Sequence, residues 1–135
     1  MAKITEIRTD MEKAENGVLV DYAAGIKLRI ASINGAKYKK HRSRLLKPHL
    51  RQVRTKKLSA DEVLEIIKPA VANHVLVGWE NLEDEAGNEI PYTPEKALEF
   101  LKDPTLSDLY NFVLEIAGEN EVYRHELTEE AEGNS

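Results

Sequence analysis

Cysteine is absent from this sequence, which removes disulfides, zinc–thiolate centres and thiol nucleophiles from consideration. A chain without cysteine suits a reducing compartment. No apolar run approaches the roughly 18 residues that a membrane-spanning helix requires. The opening MAKITEIRTD also lacks the apolar stretch of a secretory signal. Aromatic residues are scarce, with a single tryptophan, Trp79, and two phenylalanines. Between Tyr22 and Leu58 there is no acidic residue at all. Together these absences predict a soluble, cytoplasmic protein with no membrane association.

What is present is charge, unevenly placed. Charged residues make up 32% of the chain, above the usual quarter or so. Residues 1–57 carry 15 Lys/Arg against 5 Asp/Glu, whereas residues 58–135 carry 4 against 19. The net charge of −5 therefore joins a basic first half to an acidic second half. Such a division suggests an interaction face, or two halves that attract each other. With 41% apolar residues, the 135-residue chain reads as one domain able to bury a core unaided.

The first third begins with extended structure. Residues 17–22 and 25–30 are short β-prone runs joined by Ala23, Ala24 and Gly25, and the alternation of Ile26, Leu28 and Ile30 with Lys27 and Arg29 has the period of a half-buried strand. A hairpin follows from this pattern. Residues 4–13 fit either a third strand or a short helix. The five prolines, at 48, 69, 91, 94 and 104, punctuate the rest. In the basic segment, residues 34–57, Tyr38, Leu45, Leu46, His49, Leu50 and Val53 recur at near-helical spacing. One face is thus apolar and the other cationic, with a break at Pro48. The cations Lys39, Lys40, Arg42, Arg44, Arg51 and Arg54 form a candidate surface for phosphates or for self-association. No aromatic platform accompanies them, so a solvated basic face is the simpler reading.

Ser59-Ala60-Asp61-Glu62 is a capping box opening a helix with Val63, Ile66, Ile67, Ala70 and Val71 on one side, interrupted at Pro69. Residues 74–101 then pass through an apolar run closed by Gly78 and Trp79, an acidic turn, a short extended piece and a new helix start at Thr93-Pro94. The acidic turn fails the spacing of a calcium loop, because counting back from Gly87 places Leu82 at the first ligand position. A tight turn is the better reading, with Gly87 and Asn88 supplying positive φ. His41 and His49 have no carboxylate nearby in sequence, and His74 reads as a core histidine rather than a base. No nucleophile or phosphate loop accompanies the carboxylates, so neither a catalytic residue, nor a metal site, nor a cofactor is expected. Asp103-Pro104 ends one helix. The next carries Leu106, Leu109, Tyr110, Val113, Ile116 and Ala117, widened by Phe112 and Leu114, and stops at Gly118.

The expected fold is α+β and mainly helical: an N-terminal β-hairpin followed by about four to five helices in one compact domain. That domain is read as residues 1–126, with the hairpin at about 17–31, the basic helical segment at 34–57 and a helical core at 59–126. Residues 127–135 read as a disordered acidic tail.

Three stretches carry a family resemblance: Val77-Gly78-Trp79-Glu80, Asp84-Glu85-Ala86-Gly87-Asn88 and the run from Ile90 to Ala97. They resemble the tail assembly chaperones of tailed bacteriophages, in which a tryptophan follows a hydrophobic helix end. A D-x-x-G-x-x-x-P-[FY]-[ST] turn then leads into a short helix with a leucine pair, here Leu98 and Leu101. Leu109-Tyr110-Asn111-Phe112, residues 25–29 and Ile33-Asn34 also fit, whereas the basic residues 37–57 depart from the pattern. The resemblance implies a non-enzymatic protein of the host cytoplasm, absent from the mature virion. It would bind the tape measure protein, hold it soluble while tail tube protein polymerises around it, and self-associate. Trp79, Tyr92, Leu106, Leu109, Phe112 and Val113 are then the candidate partner-binding residues. The rival readings are a structural virion protein for tail completion or head–tail joining, and a nucleic-acid-binding module using the basic surface.

Overall fold

The structure, a computed structural model, describes residues 1–124. The expected acidic tail at 127–135 lies outside the described residues. The hairpin forms as the alternation predicts: β1 (Val18–Asp21) pairs antiparallel with β2 (Lys27–Ile30), from Val18 opposite Ile30 to Asp21 opposite Lys27. Its turn closes through Ile26 N–H donating to Ala23 O, with Ala24 at φ 53° and Gly25 at φ 79°. Two positive φ values match the right-handed twist of a hairpin, and alanine tolerates the first only at a cost.

A third strand completes the sheet. β3 (Leu76–Glu80) lies antiparallel to β2 on its other side, giving the order β1-β2-β3 with an irregularity between Arg29 and Ile30. The apolar run before Trp79 is therefore a strand and not a helix end. A short run of Val and Leu has no periodicity that separates the two states. The deciding factor is β2, whose Leu28 and Ile30 are buried and whose free edge requires a partner.

Helices cover the face of this sheet that carries Leu28 and Ile30, while Leu19 and Arg29 stay exposed on the other. The ambiguous segment 4–13 holds a 3-10 turn at Ile4–Ile7, a bridge at Thr9 and the start of α1 (Met11–Asn16), where the Asp10 carboxylate accepts from the N–H groups of Glu12 and Lys13. At the junction of α1 and β1, Gly17 has φ 86°, and a Cβ there would come 3.1 Å from the Ile30 carbonyl carbon. The basic segment is two helices, α2 (Ala36–Leu46) and α3 (Leu50–Arg54), separated by a 3-10 turn at Pro48. Pro69 likewise splits α4 (Ala60–Ile66) from α5 (Lys68–His74), and Ser59 and Glu62 form the expected capping box at 3.1 Å in both directions. Thr93 caps α6 (Pro94–Lys102), and a 3-10 turn at Pro104–Leu106 leads into α7 (Ser107–Ala117). Gly118 ends α7 at φ −89°, so no left-handed conformation is used there.

The α+β, mainly helical fold is thus observed, with the difference that a strand enters between α5 and α6. α5 is the central helix: Ala70, Val71 and Ala72 are fully buried, and it packs on α2 and α6 before turning into β3. Leu28, Ile30, Leu76, Leu101, Val113 and Ala117 join it in one hydrophobic cluster. The two ends of the described chain also meet, through a Thr9–Arg124 bridge and Asp10 N–H donating to Tyr123 O at 2.7 Å. Tyr123, 1% exposed, donates its hydroxyl to Ile30 O at 2.9 Å.

Truncating Leu76 to alanine in this core should cost about 2–5 kcal/mol. Ala24→Gly, which relieves the left-handed alanine, should instead stabilise by up to about 1 kcal/mol. Urea unfolding followed by circular dichroism measures both.

Candidate interaction surfaces

The residues of the 74–101 stretch form a single clamp. β3 places Trp79 opposite Leu28, and the chain then turns back through residues 83–89. Within that turn the Asp84 carboxylate accepts from the N–H groups of Ala86 and Asn88, both at 2.9 Å, and Gly87 stands at φ 84°. Asn88 has no positive φ, contrary to expectation, because the Asp84 contacts already set its backbone. That carboxylate is thereby committed to the chain's own amides. The Ile90 carbonyl, on the returning segment, accepts the Trp79 indole N–H at 2.7 Å. The Tyr92 hydroxyl lies 2.9 Å from Ala72 O and 2.7 Å from Leu76 O, the carbonyls at which α5 gives way to β3. Burial, assisted by the Glu95 carboxylate, pushes this phenol up to about 12.

The rings of the clamp touch. Trp79 meets Tyr92 edge-on at 4.9 Å between centroids and lies 5.4 Å from Phe100 of α6. Phe100 was not among the sequence candidates, although it adjoins Leu101 on the apolar side of α6. All three rings remain half-buried. The clamp is thus both a structural joint and a partly accessible aromatic surface.

Among the α7 candidates the structure makes a division. Leu109 and Val113 are buried in the chain's own core and are not presented to a partner. Leu106 and Phe112 are half-exposed. Phe112 packs on Tyr22 of the hairpin at 4.8 Å, and the Tyr22 hydroxyl donates to Asp108. That hydrogen bond, with lesser burial, pushes Tyr22 up to about 12. Tyr22 is therefore a neighbour of the candidate surface that no motif marks.

The basic candidates are presented to solvent. Lys39, Lys40, Arg44, Arg51 and Arg54 are exposed and make no salt bridge among the described residues, and Arg42 is half-buried against Tyr38. Tyr38 and Leu46 seat α2 on the core, but Leu50 and Val53 of α3 stay 42% and 38% exposed. The apolar stripe of the basic segment is buried over its first half only. His41 and His74 come together where α2 crosses α5, their rings edge-on at 5.2 Å. His41 Nδ1 is buried without a hydrogen-bond partner. Burial lowers both histidines from 6.5. Arg44 adds to this at His41, and His41, Lys37 and Arg44 add to it at His74, against a raising contribution from Glu15. Among the described residues no group of three or more His, Asp or Glu could hold a metal ion. No helix among the described residues is long and apolar enough to cross a membrane.

A family model described as YdaY prophage protein matches residues 33–134. The chain belongs to the YdaY prophage protein family. It is thus a phage-derived protein, which is the part of the tail-protein resemblance that the comparison reaches. Comparison with curated proteins and with solved structures returned no match. The family match takes in the basic helices, the central helix, the aromatic clamp and α7, and leaves out the hairpin.

Tyr92→Phe should lower stability by about 1–3 kcal/mol, since it removes the one proton that the buried Ala72 and Leu76 carbonyls share. Trp79→Phe, keeping the ring contacts, should cost about 1 kcal/mol. The histidine pair sets a pH dependence. Its folded-state affinity for protons is below that of the unfolded chain, so the unfolded state binds protons first as pH falls. Stability present above about pH 6.5 should then decline below it, and the double variant His41→Gln/His74→Gln should show a flatter urea midpoint between about pH 7 and pH 5.

Proposed function

We propose that the protein is a phage tail assembly chaperone, a non-enzymatic protein that binds the tape measure protein and keeps it soluble during tail tube polymerisation. The observation that carries this reading is that the resembling residues act as one unit. Trp79, Asp84, Gly87, Tyr92 and Thr93 respectively anchor the strand, lock the turn, permit its reversal, tie the joint and cap α6. The prophage family match, which spans this unit, supports the same reading.

A chaperone of this kind needs apolar surface that is accessible yet shielded, and contacts that are weak and repeated. Trp79, Phe100, Leu106 and Phe112 meet the first requirement by being half-buried. Their backing is rigid, because each lies on an element packed against the core. The protein would work in the host cytoplasm and leave before the particle is complete.

Co-expression with segments of the tape measure protein, followed by pull-down, should recover a complex and raise the soluble fraction of the client. No complex and no gain in solubility would overturn the reading. Tryptophan emission should also shift on adding client, since Trp79 is the single tryptophan. Purified virions should lack the protein, and finding it there would favour the structural-component reading.

A further inference from the structure

Two surfaces of this chain are complementary to each other yet do not meet within it. The first is a protrusion. Residues 50–57 are exposed throughout, and α3 stands off the body behind the 3-10 turn at Pro48. Leu50 and Val53 lie one turn apart on the same side of α3, and Arg51 and Arg54 flank them on the next. The second surface is a half-open groove of about 360 Å³ between α4 and the corner that joins α6 to α7. Leu64 and Pro104 supply its accessible apolar lining above the buried Leu101, while Asp61, Glu65 and Asp103 stand around it. Lys102 contributes a cation to the same groove, and Lys68 lies buried beneath, held by Glu65.

We propose that α3 of one copy docks into this groove of a second copy. Leu50 and Val53 would cover Leu64 and Pro104, while Arg51 and Arg54 would meet Asp61 and Glu65. Donor and acceptor surfaces differ, so the contact is heterologous. Each added copy keeps one protrusion and one groove open, and the association extends into chains. Exposed aliphatic side chains set between arginines favour a protein partner over nucleic acid, because phosphates offer them nothing to cover. Residues 58–124 add repulsion toward a polyanion, with 15 Asp/Glu against 4 Lys/Arg. The inference stands apart from client binding, so failure of the tape measure pull-down leaves it intact.

Sedimentation velocity on the full chain at rising concentration and low salt is the test. The wild-type sedimentation coefficient should climb with concentration, and added salt should weaken the association. Arg51→Glu/Arg54→Glu and Asp61→Lys should each weaken it by about tenfold. An equimolar mixture of the two variants should restore it, because the acidic protrusion of one then faces the altered groove of the other. Circular dichroism confirms that both variants fold. A wild type that stays monomeric to about millimolar concentration overturns the proposal. So does association insensitive to both variants, or a mixture that restores nothing. A monomer that binds duplex DNA at low salt through Arg51 and Arg54 would make the protrusion a nucleic-acid contact, which also overturns it.

Discussion

The Tyr92 hydroxyl, set against the carbonyls of Ala72 and Leu76, sits where the chain changes from helix to strand. A helix end leaves its last carbonyls without partners, and a buried one cannot hand them to water. Where α5 ends, the buried Val75 carbonyl accepts from Ala31 N–H, and the buried Ala72 and Leu76 carbonyls lie against one phenol. That phenol, twenty residues downstream of Ala72, shares its single proton between the two carbonyls, and the contact holds the point where β3 begins. The register of β3 on β2 then places Trp79 opposite Leu28. That position lets the indole N–H reach Ile90, which closes the acidic turn and aims Thr93 as the cap of α6. Loss of the joint would thus be felt in the sheet, in the turn and in α6 together.

The same economy governs the surface. Side chains that hold the fold are the ones partly shown to solvent, because the clamp lies at the edge of the core and not within it. Trp79, Tyr92 and Phe100 present rigid ring edges at little conformational cost, which is the property a transient binding surface needs. The cationic face differs in kind. Its charges find no ion-pair partners among the described residues, and α3 adds uncovered aliphatic surface to them. An apolar surface of this sort gains from being covered by a partner. The opposite charge of the remainder of the chain makes a second copy a fitting occupant.

Much of the local structure was legible because its causes are local. The capping box at Ser59 and Glu62, the helix start at Thr93-Pro94 and the breaks at Pro48 and Pro69 rest on hydrogen-bond and ring geometry within a few residues. The hairpin followed from alternation in β2. The candidate site was legible in part: Trp79 and Tyr92 do pair, and the basic candidates other than Arg42 are exposed. By contrast, Leu109 and Val113 share one helical stripe with Leu106 and Phe112, and periodicity cannot say which part of a stripe a neighbouring element will cover.

By itself, then, the sequence determined the mainly helical α+β class, the helix limits set by caps and prolines, the charge division and the tight turn at Asp84–Gly87. Tertiary structure alone decided that residues 76–80 are a strand, since a short apolar run takes its state from the partner that pairs with it. It alone brought His41 to His74 and Phe112 to Tyr22, contacts with no trace in spacing. It also decided which apolar side chains remain outside. Burial is a property of the assembled layers, and no residue carries that information in its own chemistry.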